Sequence, residues 1–461
     1  MALNAHDENK LSLTNILGLG GEEAEELLSD EILLTYDKSD PAIGRLVHYS
    51  QKILSRTFLN VKTEVAGNPS VEIVFGNSAE ISQTLHVFAH FGGLGKVIIS
   101  DARPVGPSGK YDLHAAFQIV IACYVAAFTM RRLLGASNIV LPFPTDISLD
   151  FTQLFPDWTF LIKAITIRKA YLAGAGAIGN AFLYALQTFD VAGEILICDG
   201  DQVSGGNLNR CLWFNDSHVG ENKAAILAQV AQPRFARLRI HSYQGILSMV
   251  PEKAAGGKWL ERLIVAVDSR RARRSLNSEI PREVYDASTT DIREVFLHFN
   301  KRPLDGSACL ECAYYLDAVE KAHERHVANA LGVTVSDIEE LVISSDAAAR
   351  ISEKYSEYKS ADLTGQSYDS LFKELCGKGS IIGKDDAQVL APFAFVSVLA
   401  GALLAIEFVR RIQSGLQSFN HFRMSPWFSP VLALRQLVTT NPKCSFCTDP
   451  VKADFAEHFW R

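Results

Sequence analysis

Apolar and polar positions alternate along this chain in an α/β pattern. Short apolar blocks at residues 32–36, 71–75, 96–100, 138–142, 170–173, 194–198, 263–268 and 430–438 predict strands. Helical spacing runs through residues 43–58, 180–188, 316–331 and 367–375, and through a segment starting at Ile338, where Ser336 and Glu339 are spaced for a capping box. Residues 114–134 form a nearly all-round apolar helix that must be buried. Residues 389–406 carry no charge and meet the minimum length of a membrane span. Pro392 near the start, Glu407 directly after it and the small Ala400-Gly401-Ala402 step favour a central core helix over residues 393–411 instead. Phe91-Gly92-Gly93-Leu94-Gly95 precedes a strand and reads as a plain turn, because a phosphate loop would lead into a helix.

The chemistry begins at Lys169. A strand at residues 170–173 runs into Gly174-Ala175-Gly176-Ala177-Ile178-Gly179, then a helix, then a second strand that ends at Asp199. Strand, glycine turn, helix, strand and acid in that order describe a nucleotide-binding βαβ unit. The glycines permit a tight turn, admit a phosphate to backbone N–H groups and let helix and strand pack closely. Asp199 is placed to accept hydrogen bonds from ribose hydroxyls.

A dehydrogenase requires nothing more, yet the sequence continues with Asp199-Gly200-Asp201-Gln202-Val203, Asn207-Leu208-Asn209-Arg210 and Val219-Gly220-Glu221-Asn222-Lys223-Ala224. A further strand closes on Asp268, followed by Arg273 and Leu276-Asn277. Cys309-x-x-Cys312 and Cys444-x-x-Cys447 match a tetrahedral four-cysteine zinc site with each pair on a knuckle turn, and four thiolates leave no position open for catalysis. Together these elements resemble the E1-like superfamily (ThiF, MoeB, HesA and the ubiquitin-activating enzymes) over roughly the C-terminal two-thirds of the chain. The size is most like that of the E1-type activating enzymes of bacterial ubiquitin-like conjugation systems.

The resemblance implies a Rossmann-like adenylation domain that joins the C-terminal carboxylate of a ubiquitin-like protein to the α-phosphate of ATP. Gly174, Gly176, Gly179, Asp199, Asp201, Asn207, Arg210, Lys223 and Asp268 would surround the nucleotide. Of these, Arg210 and Lys223 would meet the phosphates and Asp268 would hold Mg²⁺, while Arg273 would complete the charge network. Cys211 stands where the family commonly has glutamine, and Ser269 where asparagine usually follows the acid. Cys376 lies in the insertion where thioester-forming members keep their nucleophile, from which an E2-like protein would take the modifier. Lys373 and Lys378 would favour its thiolate, a helix C-terminus would oppose it, and a buried structural cysteine is the alternative. Two other readings stay open: a ThiF/MoeB-type activator feeding sulfur transfer, and a nucleotide-binding scaffold without catalysis.

Composition narrows the class. A chain of 461 residues with 48% hydrophobic and 21% charged content suggests about three folded domains. The expected division is an N-terminal α/β region (1–165), a degenerate adenylation-like copy, then the first part of the adenylation domain (166–312), a helical insertion carrying Cys376 (313–385), and the second part with the last cysteine pair (386–461). A net charge of −7 offers no footprint for nucleic acid. The start of the chain is polar and unlike a signal peptide, so a reducing cytoplasm with a metal site is expected over disulfides, and no membrane partner. Homodimerisation is left open.

Overall fold

A computed structural model describes residues 4–461 except 66, 94, 110–112, 136, 137, 139, 255, 256, 291, 378–391, 416, 417 and 431–433. At Ala254, Lys373, Cys376, Gly377 and Leu434 it describes only the backbone. Two sheets carry the architecture. The first contains β1 (Glu31–Thr35), β2 (Asn60–Lys62), β3 (Val71–Phe75), β4 (Leu85–Phe91), β5 (Lys96–Ser100) and β6 (Asp146–Asp150) in the order β2-β1-β3-β4-β5-β6. The second contains β7 (Ile165–Ala173), β8 (Val191–Cys198), β9 (Leu238–Tyr243), β10 (Arg262–Val265), β11 (Glu283–Thr290), β12 (Glu294–Lys301), β13 (His421–Met424) and β14 (Leu434–Gln436). Its order is β14-β13-β12-β11-β10-β7-β8-β9. From β9 to β11 the strands are parallel, and from β11 to β14 antiparallel.

The parallel part is covered on both faces, as its continuous apolar strands require. Ala170 and Leu172 of β7 face the main core, whereas Tyr171 and Ala173 join a second cluster with Leu196, Leu263, Val265 and Leu276. Helix Ala394–Ser414 is buried from Ala394 to Arg410 and lies in the main core together with helix Ala115–Leu134. Both are interior helices, although the second is long and apolar enough to cross a membrane. A Cβ on Gly401 would come within 2.5 Å of the Ala181 Cβ, so the core helix presses directly on helix Ala177–Leu186.

The two sheets repeat one topology. In the first, β1, helix Pro41–Leu54 and β2 stand where β7, helix Ala177–Leu186 and β8 stand in the second. The strands β3 and β4 then pair parallel on the far side of β1, as β10 and β11 do beside β7, and two antiparallel strands follow. Helix Ala115–Leu134 precedes β6 as helix Ala394–Ser414 precedes β13.

Several expectations are revised. Residues 138 and 140–142 form no strand, and β6 lies further on at Asp146–Asp150. The box before helix Val335–Glu339 is made by Thr334 and Asp337, because Thr334 is the residue with the extended backbone of a cap. Among the described residues the final strand runs over Leu434–Gln436 and stops before Leu437 and Val438, while residues 431–433 lie outside the described residues. The turn at Phe91 links β4 to β5 as an antiparallel hairpin. Strands β4, β9, β11, β12 and β13 escaped the pattern reading, since residues such as His86, Arg239, Glu294 and Arg423 break their apolar runs.

Candidate active site

The parallel strands β7, β8 and β10 end side by side, and their chain continuations meet at one crevice, the usual ligand position in an open α/β sheet. Gly174 follows β7 with a φ of 100°, and a Cβ there would lie 2.6 Å from the Ala266 carbonyl oxygen at the end of β10. A Cβ on Gly179 would lie 2.1 Å from the Gly174 carbonyl oxygen. These two glycines therefore serve the packing of strand ends and helix. Gly176 differs: it is the N-cap of helix Ala177–Leu186, no side chain caps that end, and a Cβ would meet nothing within 4 Å. The equivalent helix in the first sheet is closed by Asp40, whose Oδ1 accepts from the N–H groups of Ala42 (2.8 Å) and Ile43 (3.1 Å). The first sheet thus has no open helix end to offer a phosphate at this position.

Asp199 organises the crevice. Its Oδ2 accepts from the Ala175 N–H at 2.7 Å and its Oδ1 from the Asp201 N–H at 2.9 Å. Burial pushes its carboxyl up to about 6, against the pull of Lys223 and with the help of Asp201. The Lys223 ammonium lies 3.0 Å from Asp201 Oδ2. Burial alone would lower its pKa, but Asp201, Asp199 and Asp268 together raise it, so Lys223 is a fixed cation at neutral pH. Asn222, not singled out by the sequence reading, caps helix Lys223–Ala231 and donates to the Asp199 (3.0 Å) and Asp201 (3.2 Å) carbonyls. Its position directly before Lys223 was the available signal.

Arg210 uses Nη1 on the Gly206 carbonyl (3.0 Å) and on Asn209 Oδ1 (2.7 Å). Among the described residues its Nη2 and Nε have no protein partner. The Asn207 side chain accepts from the Ser204 N–H at 3.0 Å, shaping the same turn. Cys211 is buried beneath it.

Asp268 is exposed in the turn after β10, where its charge reaches Lys223 and Arg273. Arg273 meets the charge of Asp268 from inside the protein and not from the open crevice. It is buried, paired with Asp286 of β11, and donates to the Val267 carbonyl beside Asp268. The Tyr314 hydroxyl donates to Asp286 Oδ2 at 2.5 Å. Asp286 was legible as a lone acid inside the apolar Val284-Tyr285-Ala287 run, whereas Tyr314 gave no signal.

The insertion docks on Asp201 and on Arg271. Ser370 Oγ donates to Asp201 Oδ2 at 2.6 Å, and Asp369 pairs with buried Arg271 at 2.8 Å. Both belong to helix Tyr368–Gly377, whose last turn includes Cys376; the Cys376 side chain lies outside the described residues.

The four cysteines meet. Sγ–Sγ separations are 3.6 Å (Cys309–Cys312), 3.8 Å (Cys309–Cys444), 3.7 Å (Cys312–Cys447) and 3.4 Å (Cys309–Cys447), and all four sulfurs lie within 4.8 Å of one another. A zinc tetrathiolate with bonds of about 2.3 Å has edges of about 3.8 Å, whereas a disulfide is near 2.05 Å. The N–H groups of Cys312, Asn441 and Cys447 point at sulfurs as donors to thiolate. Buried Arg302 stacks on Phe446, and burial lowers its pKa, with the charges of Cys309, Glu457 and Cys447 opposing only in part. The residues fit Zn²⁺.

An adenylation-type α/β unit with one open glycine turn, flanked by acids and cations, is what this geometry defines. Residues 160–440, more than half of the chain, match the ThiF family, and the protein belongs to that family, within the E1-like superfamily. It is 26% identical over 336 residues to the uncharacterized protein y4jF of Sinorhizobium fredii (strain NBRC 101917 / NGR234), covering 68% of this chain and 62% of that one. It is 27% identical over 154 residues to the NEDD8-activating enzyme E1 catalytic subunit of Saccharomyces cerevisiae, covering 32% of this chain and 50% of the enzyme. The chain thus spans less than two-thirds of the length of either relative. Among solved structures, E. coli MccB with AMPCPP and MccA aligns at a TM-score of 0.37 and 15% identity, over 78% of this chain and 97% of MccB. MccB alone aligns at 0.38 and 15% identity, over 78% and 94%.

Proposed function

We propose that the protein activates the C-terminal carboxylate of a ubiquitin-like protein by adenylation. The observation that supports this most is the meeting of Asp199, Asp201 and Lys223, with the charge of Asp268 in reach, beside the uncapped glycine turn at Gly176. ATP supplies the electrophilic α-phosphorus, and Mg²⁺, for which Asp268 is the proposed ligand, offsets phosphate charge. Lys223 and the unused nitrogens of Arg210 lower the repulsion between phosphate and an incoming carboxylate. The N–H groups beyond Gly176 face the phosphates, and Asp199 orients the ribose. Zn²⁺, held by Cys309, Cys312, Cys444 and Cys447, ties the segment before the insertion to the C-terminal region and has a structural role.

In this reading Cys376 then takes the modifier as a thioester for an E2-like protein, an assignment that rests on its place in the insertion. ATP–pyrophosphate exchange with a panel of ubiquitin-like proteins ending in free glycine tests the first step. A non-reducing gel of the same reactions tests the second. Cys376→Ala is expected to keep exchange and lose a reductant-sensitive adduct, with Cys211→Ala as control. Retention of the adduct by Cys376→Ala would move the nucleophile elsewhere. Exchange without any adduct in wild type would favour sulfur-carrier activation. Absence of exchange would leave only the scaffold reading.

A further inference from the structure

The N-terminal region reaches the turn that carries Arg210 through a continuous set of buried polar contacts. Asn9, in helix Ala5–Leu17, is 2% exposed, and Asn209 is fully buried. Asn209 Nδ2 donates to Asn9 Oδ1 at 3.0 Å, and Asn9 Nδ2 donates to the Arg56 carbonyl at 2.7 Å. The free oxygen of Asn209 is the one that accepts from Arg210 Nη1. Each amide therefore spends its oxygen and its nitrogen once, which fixes both orientations without a conflict.

Arg56 closes the other side. Its guanidinium donates to the carbonyls of Leu208 (2.8 Å), Leu212 (2.8 Å) and Phe214 (3.1 Å), on either side of Arg210. Helix Ala5–Leu17 also presses on the turn itself, since a Cβ on Gly206 would lie 2.7 Å from Glu8 Oε1. Glu8 is a carboxyl raised by burial and drawn back by Arg210.

We infer that Asn9 and Arg56 are positioning residues for the nucleotide site: the region that repeats the adenylation topology without an open glycine turn holds Arg210 in its working orientation. The inference rests on the assignment of Arg210 to the nucleotide. A long arginine side chain that must wait for phosphate loses rotamer freedom on binding, and a partner that fixes it beforehand removes part of that cost.

The test is calorimetric titration of the full chain with AMPCPP and Mg²⁺, using wild type, Asn9→Ala, Arg210→Ala and the double variant, with thermal melting to show that each is folded. Loss of Asn9 is expected to weaken binding about fivefold, the worth of about one hydrogen bond. Because Asn9 acts through Arg210, the double variant should bind no more weakly than Arg210→Ala alone. If Asn9→Ala does not fold, Asn9→Ser and Arg56→Lys take its place in the same cycle. Wild-type affinity in Asn9→Ala, losses that multiply in the double variant, or an Arg210→Ala protein as tight as wild type would each overturn the inference. No binding by wild type would instead overturn the nucleotide reading beneath it.

Discussion

Arg273 and Asp286 pair inside the protein, with 3% and 0% of their side-chain surfaces exposed. The pair is completed by Tyr314 on the acid and by the Val267 carbonyl on the arginine, so it fixes the turn on which Asp268 sits. Removing one partner of a buried pair leaves the other charge without compensation. Arg273→Met is expected to lower unfolding free energy by about 3 kcal/mol or more in urea titrations. A loss below about 1 kcal/mol would show that the pair is replaceable, in line with a surface-like ion pair.

The glycines of the turn should separate by phenotype. Gly176→Ala has room and an ordinary φ of −71°, so its melting temperature should stay near that of wild type while AMPCPP binding falls. Gly179→Ala must displace the Gly174 carbonyl and should destabilise the fold, by about 1–3 kcal/mol for an overpacked site. Equal melting temperatures for both variants would contradict this division of roles.

Asp199 gives the site a pH dependence. Its carboxyl titrates near 6 in the folded chain against 3.8 ordinarily, because burial disfavours the anion. Between these values the folded state holds a proton that the unfolded state has released, so this group's contribution to stability is present at low pH and is lost as pH rises through about 6. Asp199→Asn loses one of the two backbone N–H bonds at every pH, so the linkage shows as a trend: the melting temperature of the variant relative to wild type should rise between pH 4 and pH 8. Nucleotide affinity should move the opposite way. The wild-type advantage over Asp199→Asn should shrink as pH falls below about 6, a comparison in which the nucleotide's own protonation cancels. A constant ratio from pH 8 to pH 5 would rule out ionised Asp199 as a nucleotide contact.

Metal content is checked by elemental analysis, with about one Zn²⁺ per chain expected. A strong chelator, or Cys444→Ser, should lower the melting temperature before nucleotide binding is affected, because the cluster lies among Leu304, Ala308 and Phe446, apart from the crevice. Metal-free protein with an unchanged melting temperature would make the four thiols incidental.

The chain alone determined the parts whose signal is local. A glycine turn between two apolar strands, an acid at the end of the second and two C-x-x-C pairs are properties of short segments, so the Rossmann-like unit and the four-cysteine cluster could be named from sequence. The buried helices at residues 115–134 and 394–414 were legible for the same reason, being apolar on every side. Only tertiary structure decided what depends on residues far apart in sequence. Arg273 faces Asp286 because β10 and β11 are neighbours, and Ser370 meets Asp201 across the docked insertion. A degenerate copy at residues 1–165 was expected from the family resemblance alone; no repeat of residues marks the shared topology of the two sheets, because strand order requires only apolar blocks of suitable length, which many side chains satisfy. For Asn9 and Asn209 the reason is sharper: a single asparagine says nothing of its partner, and only the fold puts these two amides in contact within the core.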